Sequence, residues 1–479
     1  MTTENIRTYD VIVIGAGPVG ENVAERTVAA GLSTVVVESE LVGGDCSYWA
    51  CEPSKALLRP VLFRADAAHV PGLDPAVEGP LNVEAVLAHR DHMSGDWKDD
   101  GQVEWLKSAG IELLRGHGRL VGEREVSVKT SDGEPVHLRA RHAVALCTGS
   151  RAALPGLHGI EELRPWTSRE ATSARKPPGR LVIVGAGVVG VEMATAWQAL
   201  GSQVTLLARQ GGLLPRMEPF AGEMVTERLR EAGADVRFGV SVTAAERTDG
   251  GELRVTLSNG ARLAADEILF AIGRAPRSED IGLAAVGLAA GDWLTTDDSL
   301  TVTAVPGNWL YAVGDVNHRA LYTHQGKYQA RIAGAVIAAR ARGEGLDTSR
   351  WGPHRSTADT EAVPGVVFTD PEVASVGLTV REAERTGLAI DVIDQEIGEL
   401  AGALQYRPDY RGTARLVIDR DRRTVVGATF VGPGVAELLY SATVAITGEV
   451  PVDRLWHAVP AFPTISEVWL RLLEKGARR

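Results

Sequence analysis

Two cysteines, Cys46 and Cys51, stand five positions apart in the run GGDCSYWACEPSK at 43–55. A close thiol pair has three ordinary uses: it stores two electrons as a disulfide, binds a metal, or packs as two structural thiols. The chain holds 3 cysteines in 479 residues. That offers little for zinc, which takes four ligands at other spacings, so no metal site is expected. It is no secreted disulfide framework either. In a regular helix, residues five apart lie beyond the roughly 7 Å Cα limit for a disulfide. A bridge between Cys46 and Cys51 therefore requires a distorted first turn. The run EPSKALLR behind Cys51 reads as a helix with Pro53 near its start. Cys51 then sits near a helix N-terminus, which stabilises a thiolate. Lys55, one turn on, adds positive charge, and Glu52 acts the other way.

The elements around this pair explain where its electrons come from. YDVIVIGAGPVGENVAERTVAAGLSTVVVES reads as strand, Gly-rich turn, helix and strand, with Gly31 closing the helix. Gly15, Gly17 and Gly20 have the dinucleotide-binding spacing, and Glu38 ends the second strand where an acid binds a ribose. The helix N-terminus then faces a pyrophosphate. The unit recurs in GRLVIVGAGVVGVEMATAWQALGSQVTLLARQ, with Gly185, Gly187 and Gly190. Its second strand ends on Ala208, followed by Arg209. Losing the acid removes repulsion toward a 2′-phosphate, and an arginine binds one in a fork. NADPH is expected over NADH. NADPH gives two electrons as hydride, a dithiol takes two, and a flavin can stand between them. Two nucleotide folds thus have two occupants, FAD and NADPH.

The stretch WKDDGQVEWLKSAG reads as helix, and IELLRGHGRL and VSVKTSDGEPVHLRARHAVALCTGS read as β-rich hairpins. From about Trp351 the pattern turns α+β. The length suits roughly three domains of about 150 residues. Net charge is −12, from 50 basic and 62 acidic residues. That argues against nonspecific binding to nucleic acid or an anionic membrane. No apolar run reaches the roughly 18 residues of a membrane span, and the start lacks a signal-peptide pattern. A cytoplasmic protein is expected.

The ordered set GAGPVG, GGDCSYWACEPSKALL, RGHGRL, CTGS, GAGVVGVE, AIGRAP, YAVGDV, VVFTDPEVASVGLT and PTISE resembles the flavoprotein pyridine nucleotide–disulfide oxidoreductases, over nearly the whole chain. These include dihydrolipoamide dehydrogenase and the glutathione, mycothione and mercuric reductases. The resemblance implies an α/β fold of two doubly wound dinucleotide-binding domains plus a C-terminal α+β dimerisation domain. The implied division is 1–155 with 275–345 for FAD, 156–274 for NAD(P) and 350–479 for the interface of a homodimer. FAD is implied over Gly15, Gly17, Gly20, Glu38, Gly44, Lys55, Gly118, Thr148, Gly149, Ser150, Asp315, Leu321, Tyr322, Thr323 and His324. Asp315 matches the acid that binds ribityl hydroxyls. Lys55 and Glu192 match the pair beside the flavin near nicotinamide. Gly185, Gly187, Gly190, Arg209 and Gly273 fall on the NADPH side. Cys46 matches the thiol that attacks a substrate disulfide, and Cys51 the thiol that faces the flavin. Cys147 is the last cysteine, so the extra C-terminal relays of mercuric and large thioredoxin reductases are missing; it reads as packing.

The chain departs from this family at its end. The family has His-Pro-Thr-x-x-Glu, whose histidine carries the proton for the attacking thiol. Here the run is FPTISE, with Phe462 in the histidine position and Glu467 without its partner. His457, five residues earlier, is a weak substitute. A general acid–base group contributes about 10²–10⁴-fold. Its loss weakens reduction of lipoyl or glutathione-like disulfides and spares hydride transfer from NADPH. Phe462, Tyr48 and Trp49 either make the substrate side aromatic, suiting a quinone-like ring, or pack in the core. The expected activity is an FAD-dependent NADPH oxidoreductase with a small-molecule, quinone-like or other non-standard acceptor. The alternatives are a disulfide reductase with an unusual proton donor and a flavin-bearing sensor with little turnover.

Overall fold

In the computed structural model, which describes residues 6–73, 77–131 and 133–477, the run DVIVI lies in the strand Arg7–Ile14. Its last four residues are all buried, as a strand covered on both faces requires. Glu112–Arg115, Thr34–Glu38, Arg7–Ile14 and Pro135–Leu146 run parallel, side by side, and Leu310–Ala312 joins the end of Pro135–Leu146 in parallel. Side chains alternate between the two faces. Val11, Val13, Val36 and Ala145 pack among residues of the helices Pro18–Ala29 and Thr323–Ala341. Ile12, Ile14, Val35 and Val37 pack with Leu120, Val126 and Val128 of the antiparallel ribbon His117–Gly122 and Glu125–Lys129. These elements belong to the first of two compact units, Met1–Glu52, Ser94–Arg151 and Arg274–Thr360.

One sequence expectation fails here. The run at 111–120 is not a hairpin. Glu112–Arg115 extends the parallel sheet beside Thr34–Glu38, and His117–Gly122 pairs with Glu125–Lys129. Only Gly116 joins the two strands, too short a link for a hairpin turn. The second expected hairpin forms, with Glu125–Lys129 antiparallel to Pro135–Leu146. The expected helix after Trp97 spans Asp100–Ser108.

The second unit comprises Pro53–Met93, Ala152–Gly273 and Glu361–Arg479. Its parallel sheet orders Asp235–Phe238, Gln203–Ala208, Arg180–Val184 and Glu267–Phe270. The helices Val188–Ala199 and Pro219–Glu231 bury Trp197, Val225 and Leu229 in the same core as Leu181, Ile183 and Leu206 of that sheet. The other face meets Leu253, Val255 and Leu257 of a three-stranded antiparallel sheet. A five-stranded antiparallel sheet follows, ordered Pro364–Val367, Glu372–Gly377, Thr424–Gly432, Thr413–Asp419 and Ile390–Glu396. The helix Leu439–Thr447 packs on it. Two dinucleotide-type parallel sheets and a C-terminal α+β layer are therefore present, the architecture expected from the sequence.

Candidate active site

The chain solves the spacing of the two cysteines with two helices instead of one distorted turn. Cys46 lies in the short helix Gly44–Tyr48, and Cys51 is the first residue of Cys51–Ala67. Between them Trp49 leaves helical geometry at φ −138°. The short helix is held against the first glycine fingerprint. Gly43 N–H donates to Ala16 carbonyl at 2.8 Å. Gly44 has φ +60°, and a Cβ there would fall 2.9 Å from Gly17 Cα, so a side chain at 44 meets backbone. Both cysteines are thiols, and the Cys46 thiol is hydrogen-bonded to Cys51. That bond, followed by burial, pushes the Cys46 thiol far above the ordinary thiol range. Such a pair gives up its second proton only with great difficulty. Cys51 Sγ lies 3.4 Å from the hydroxyl of Thr323, which opens the helix Thr323–Ala341. Tyr48 is 3% exposed and donates to Val42 carbonyl at 2.9 Å, so it belongs to the core and not to a substrate surface.

A cavity of about 520 Å³ opens beside the thiols in the first unit. It is lined by Gly15, Gly17, Glu38, Gly44, Cys46, Gly118, Thr148, Gly149, Ser150, Asp315 and Thr323, all named from the sequence. Gly20, Lys55, Leu321, Tyr322 and His324 do not line it. Gly20 is a packing position: a Cβ there would fall 1.8 Å from Gly15 carbonyl oxygen. Glu38 accepts from Ala16 N–H at 2.6 Å and from Glu40 N–H at 2.7 Å, which aims its carboxylate at the fingerprint turn. The lining includes residues that sequence reasoning missed. Arg274 Nε donates to Ser150 Oγ at 2.5 Å, and Ser150 Oγ donates to Asp315 at 2.5 Å. Arg274 also reaches Asp45 at 3.2 Å, and Arg277 reaches Glu40 at 3.2 Å. The available signal was the AIGRAP run itself, where Gly273 was named and its neighbour Arg274 was not.

These residues fit a dinucleotide such as FAD. The volume is in the ordinary range for such ligands. Among the described residues no side chain caps the N-terminus of Pro18–Ala29 at the fingerprint, which leaves that end of the helix to an anion. Thr148 Oγ1 is buried with no partner among the described residues, a donor–acceptor left for a ligand.

In the second unit Gly187 caps the helix Val188–Ala199, and space is open where its Cβ would stand. Gly185 and Gly190 pack against backbone as Gly15 and Gly20 do. Gly273 has open space at its Cβ position. Ala208 is buried, while Arg209 is exposed and has no ion pair among the described residues. Glu192 is 3% exposed; one oxygen pairs with Lys55 Nζ at 2.7 Å and the other accepts from Phe368 N–H at 3.0 Å. Lys55 Nζ also lies 5.0 Å from the Phe368 ring centre.

Near the C-terminus Phe462 is 74% exposed and Glu467 is buried. Glu467 Oε1 accepts from Arg471 at 2.8 Å, a partner that sequence reasoning did not name. Glu467 Oε2 is buried without a partner among the described residues, so His457 does not serve it. Among the described residues no group of three or more His, Cys, Asp or Glu is arranged to hold a metal, and no helix is long and apolar enough to cross a membrane.

Comparison with known proteins agrees with this geometry. The family model described as pyridine nucleotide-disulphide oxidoreductase matches residues 9–341, and that of its dimerisation domain matches 363–472. Dihydrolipoyl dehydrogenase 3 of Pseudomonas aeruginosa is 31% identical over 475 residues, covering 96% of each chain. Mercuric reductase of Bacillus cereus is 28% identical over 466 residues, covering 96% of this chain and 70% of that protein. In fold, the chain is similar to the Cu(II) complex of the HOCl-induced flavoprotein disulfide reductase RclA from Escherichia coli, with a TM-score of 0.83 at 22% identity over 98% of this chain and 100% of that one. LpdA from Mycobacterium tuberculosis superposes with a TM-score of 0.82 at 23% identity, over 98% of this chain and 99% of that one.

Proposed function

Because the chain belongs to the pyridine nucleotide-disulphide oxidoreductases, we propose that it oxidises NADPH and delivers the two electrons to a quinone-like small molecule and not to a low-molecular-weight disulfide. FAD, when bound, supplies the two-electron relay that this family uses. Hydride plus one solvent proton converts a quinone to a hydroquinone, so no protein group has to protonate a thiol leaving group. The observation that carries this reading is the C-terminal run. The family resemblance puts a proton carrier at the position of Phe462, and Glu467 Oε2 is buried without a partner among the described residues.

The remaining residues have consistent parts in this reading. Gly15, Gly17, Gly118, Thr148, Ser150 and Asp315 hold FAD, with Arg274 locking Ser150 and Asp315 in place. Glu192 orients the Lys55 ammonium, a fixed positive charge for the site where hydride arrives. Arg209 takes the 2′-phosphate of NADPH, supported by its exposure and its lack of an ion pair among the described residues. The chain works as a homodimer through its dimerisation domain, where Tyr440, Val459 and Phe462 are 77%, 86% and 74% exposed on the protomer. The scarcity of cysteines supports a reducing, cytoplasmic setting.

A second reading, a working disulfide reductase, is favoured by the mutual hydrogen bond of Cys46 and Cys51. The test is steady-state NADPH oxidation with quinones, lipoamide, glutathione disulfide and mycothiol disulfide, in the parent and in Cys46→Ser. Quinone turnover that survives Cys46→Ser supports the first reading. Fast turnover of a disulfide, poor turnover of quinones and complete loss in Cys46→Ser would establish the second.

A further inference from the structure

The segment that carries Asp315 into the cavity is held from behind by a side chain that does not line the cavity. Gln329, on the helix Thr323–Ala341, is 0% exposed. Its Oε1 accepts from Gly314 N–H at 2.8 Å and from Asn317 Nδ2 at 2.8 Å. Those two donors bracket Asp315, which opens the one-turn helix Asp315–Asn317. Asn317 is buried, and its amide is fully engaged: Nδ2 also donates to Ala312 carbonyl at 2.9 Å, and Oδ1 accepts from Arg319 N–H at 3.0 Å. Gly314 has φ +82°, and a Cβ there would fall 3.0 Å from Val19 Cγ2 of the fingerprint helix, so the segment is closely seated. Burying an amide costs free energy unless it is hydrogen-bonded, and an apolar side chain would fill the same space without that cost. The feature that sets Gln329 apart from such a side chain is its acceptor oxygen.

Asp315 lines the cavity, with Ser150 Oγ at 2.5 Å and Arg274 Nε at 3.6 Å from its carboxylate. A carboxylate on a cavity wall accepts from ligand hydroxyls. FAD carries hydroxyls on its ribose and on its ribityl chain. Glu38 stands at the fingerprint, where an acid meets the ribose, which leaves the ribityl hydroxyls to Asp315. We propose, on the reading of this cavity as the FAD site, that Gln329 is a positioning residue for the cofactor: its oxygen fixes Gly314 and Asn317, and through them aims the Asp315 carboxylate at FAD. Gln329 then matters to FAD only while Asp315 is present. A residue that merely packed the helix against the sheet would loosen the cavity whether Asp315 was there or not.

The test is a double-mutant cycle on the holoenzyme, with FAD dissociation read from the fluorescence of released flavin at dilution. Gln329→Met, which keeps the length and removes the oxygen, should weaken FAD binding about tenfold. Gln329→Glu, which keeps an oxygen there, should bind FAD as the parent does. Asp315→Ala should also weaken binding, and adding Gln329→Met to it should change the dissociation constant less than twofold. Gln329→Asn, one methylene shorter, repeats the cycle if Gln329→Met fails to fold. Unchanged FAD binding in Gln329→Met or Gln329→Asn overturns the inference and leaves the FAD cavity standing. So does a full tenfold effect on the Asp315→Ala background. Unchanged FAD binding in Asp315→Ala overturns the reading of the cavity, and the inference with it.

Discussion

On the proposed reading, replacing Phe462 by histidine should raise the rate of disulfide reduction. The family resemblance pairs a histidine at 462 with the glutamate at 467, so Glu467 is the expected receptor for the new side chain. Glu467 is 7% exposed, anchored through Oε1 to Arg471 at 2.8 Å, with Oε2 buried and without a partner among the described residues. An unsatisfied buried acceptor costs about 1–3 kcal/mol, and a hydrogen bond to a charged group returns about 1.5–3 kcal/mol. A histidine held by that carboxylate acquires a raised pKa and a defined orientation, which suits a proton carrier at neutral pH. The gain in lipoamide or glutathione disulfide reduction should be about 10²–10⁴-fold in kcat/KM, corresponding to roughly 3–5 kcal/mol of transition-state stabilisation. Quinone turnover should change little. The assay is NADPH oxidation at 340 nm with each acceptor, in Phe462→His, Glu467→Gln and the double variant. The double variant should lose most of the gain. If Phe462→His folds, binds FAD and reduces disulfides no faster than the parent, the assignment of position 462 is wrong. A double variant as active as Phe462→His would remove Glu467 from the argument.

Three further outcomes follow from other parts of the structure. Burial, opposed by Lys327, raises the Glu21 carboxyl to about 7, and its Oε1 has no partner among the described residues. The folded state then holds a proton that the unfolded state releases above pH 4.5, so stability is full below that pH and falls as pH rises to about 7. The loss is roughly 3 kcal/mol, and thermal unfolding from pH 4.5 to 8 should show it in the parent and not in Glu21→Gln. Arg209→Glu should move the kcat/KM ratio toward NADH by at least tenfold; an unchanged ratio removes Arg209 from the cofactor site. Arg274→Met frees Ser150 and Asp315 and should weaken FAD binding roughly tenfold or more, read by fluorescence of released flavin at dilution.

Local pattern made much of this chain readable. Each glycine fingerprint is a contiguous strand, turn and helix, so its elements follow from spacing alone, and the buried VIVI and TVVVE runs identify the parallel sheet. The contact between Lys55 and Glu192 joins residues 137 positions apart, and only family resemblance brought them together beforehand. Arg274, Asp45, Arg277 and Arg471 were missed for the same reason: a charged side chain announces its partner only in space. The helix break at Trp49 escaped notice because spacing arguments treat neighbouring residues as one regular element. The false hairpin at 111–120 arose where one sheet's last parallel strand and the next ribbon's first strand are joined by a single glycine. Tyr48 was ambiguous as an aromatic beside two cysteines, and its hydroxyl bond to Val42 carbonyl resolves it as core.

The central claim is that Cys46 and Cys51 form a redox pair coupled to a flavin held in the adjacent cavity. Anaerobic titration of the holoenzyme with NADPH tests it most directly, with absorbance and free thiols followed together. The expected result at two-electron reduction is a long-wavelength charge-transfer band, two new thiols and a flavin that is still largely oxidised. Full bleaching of the flavin at that point, with no new thiols, would show that the cysteines take no part.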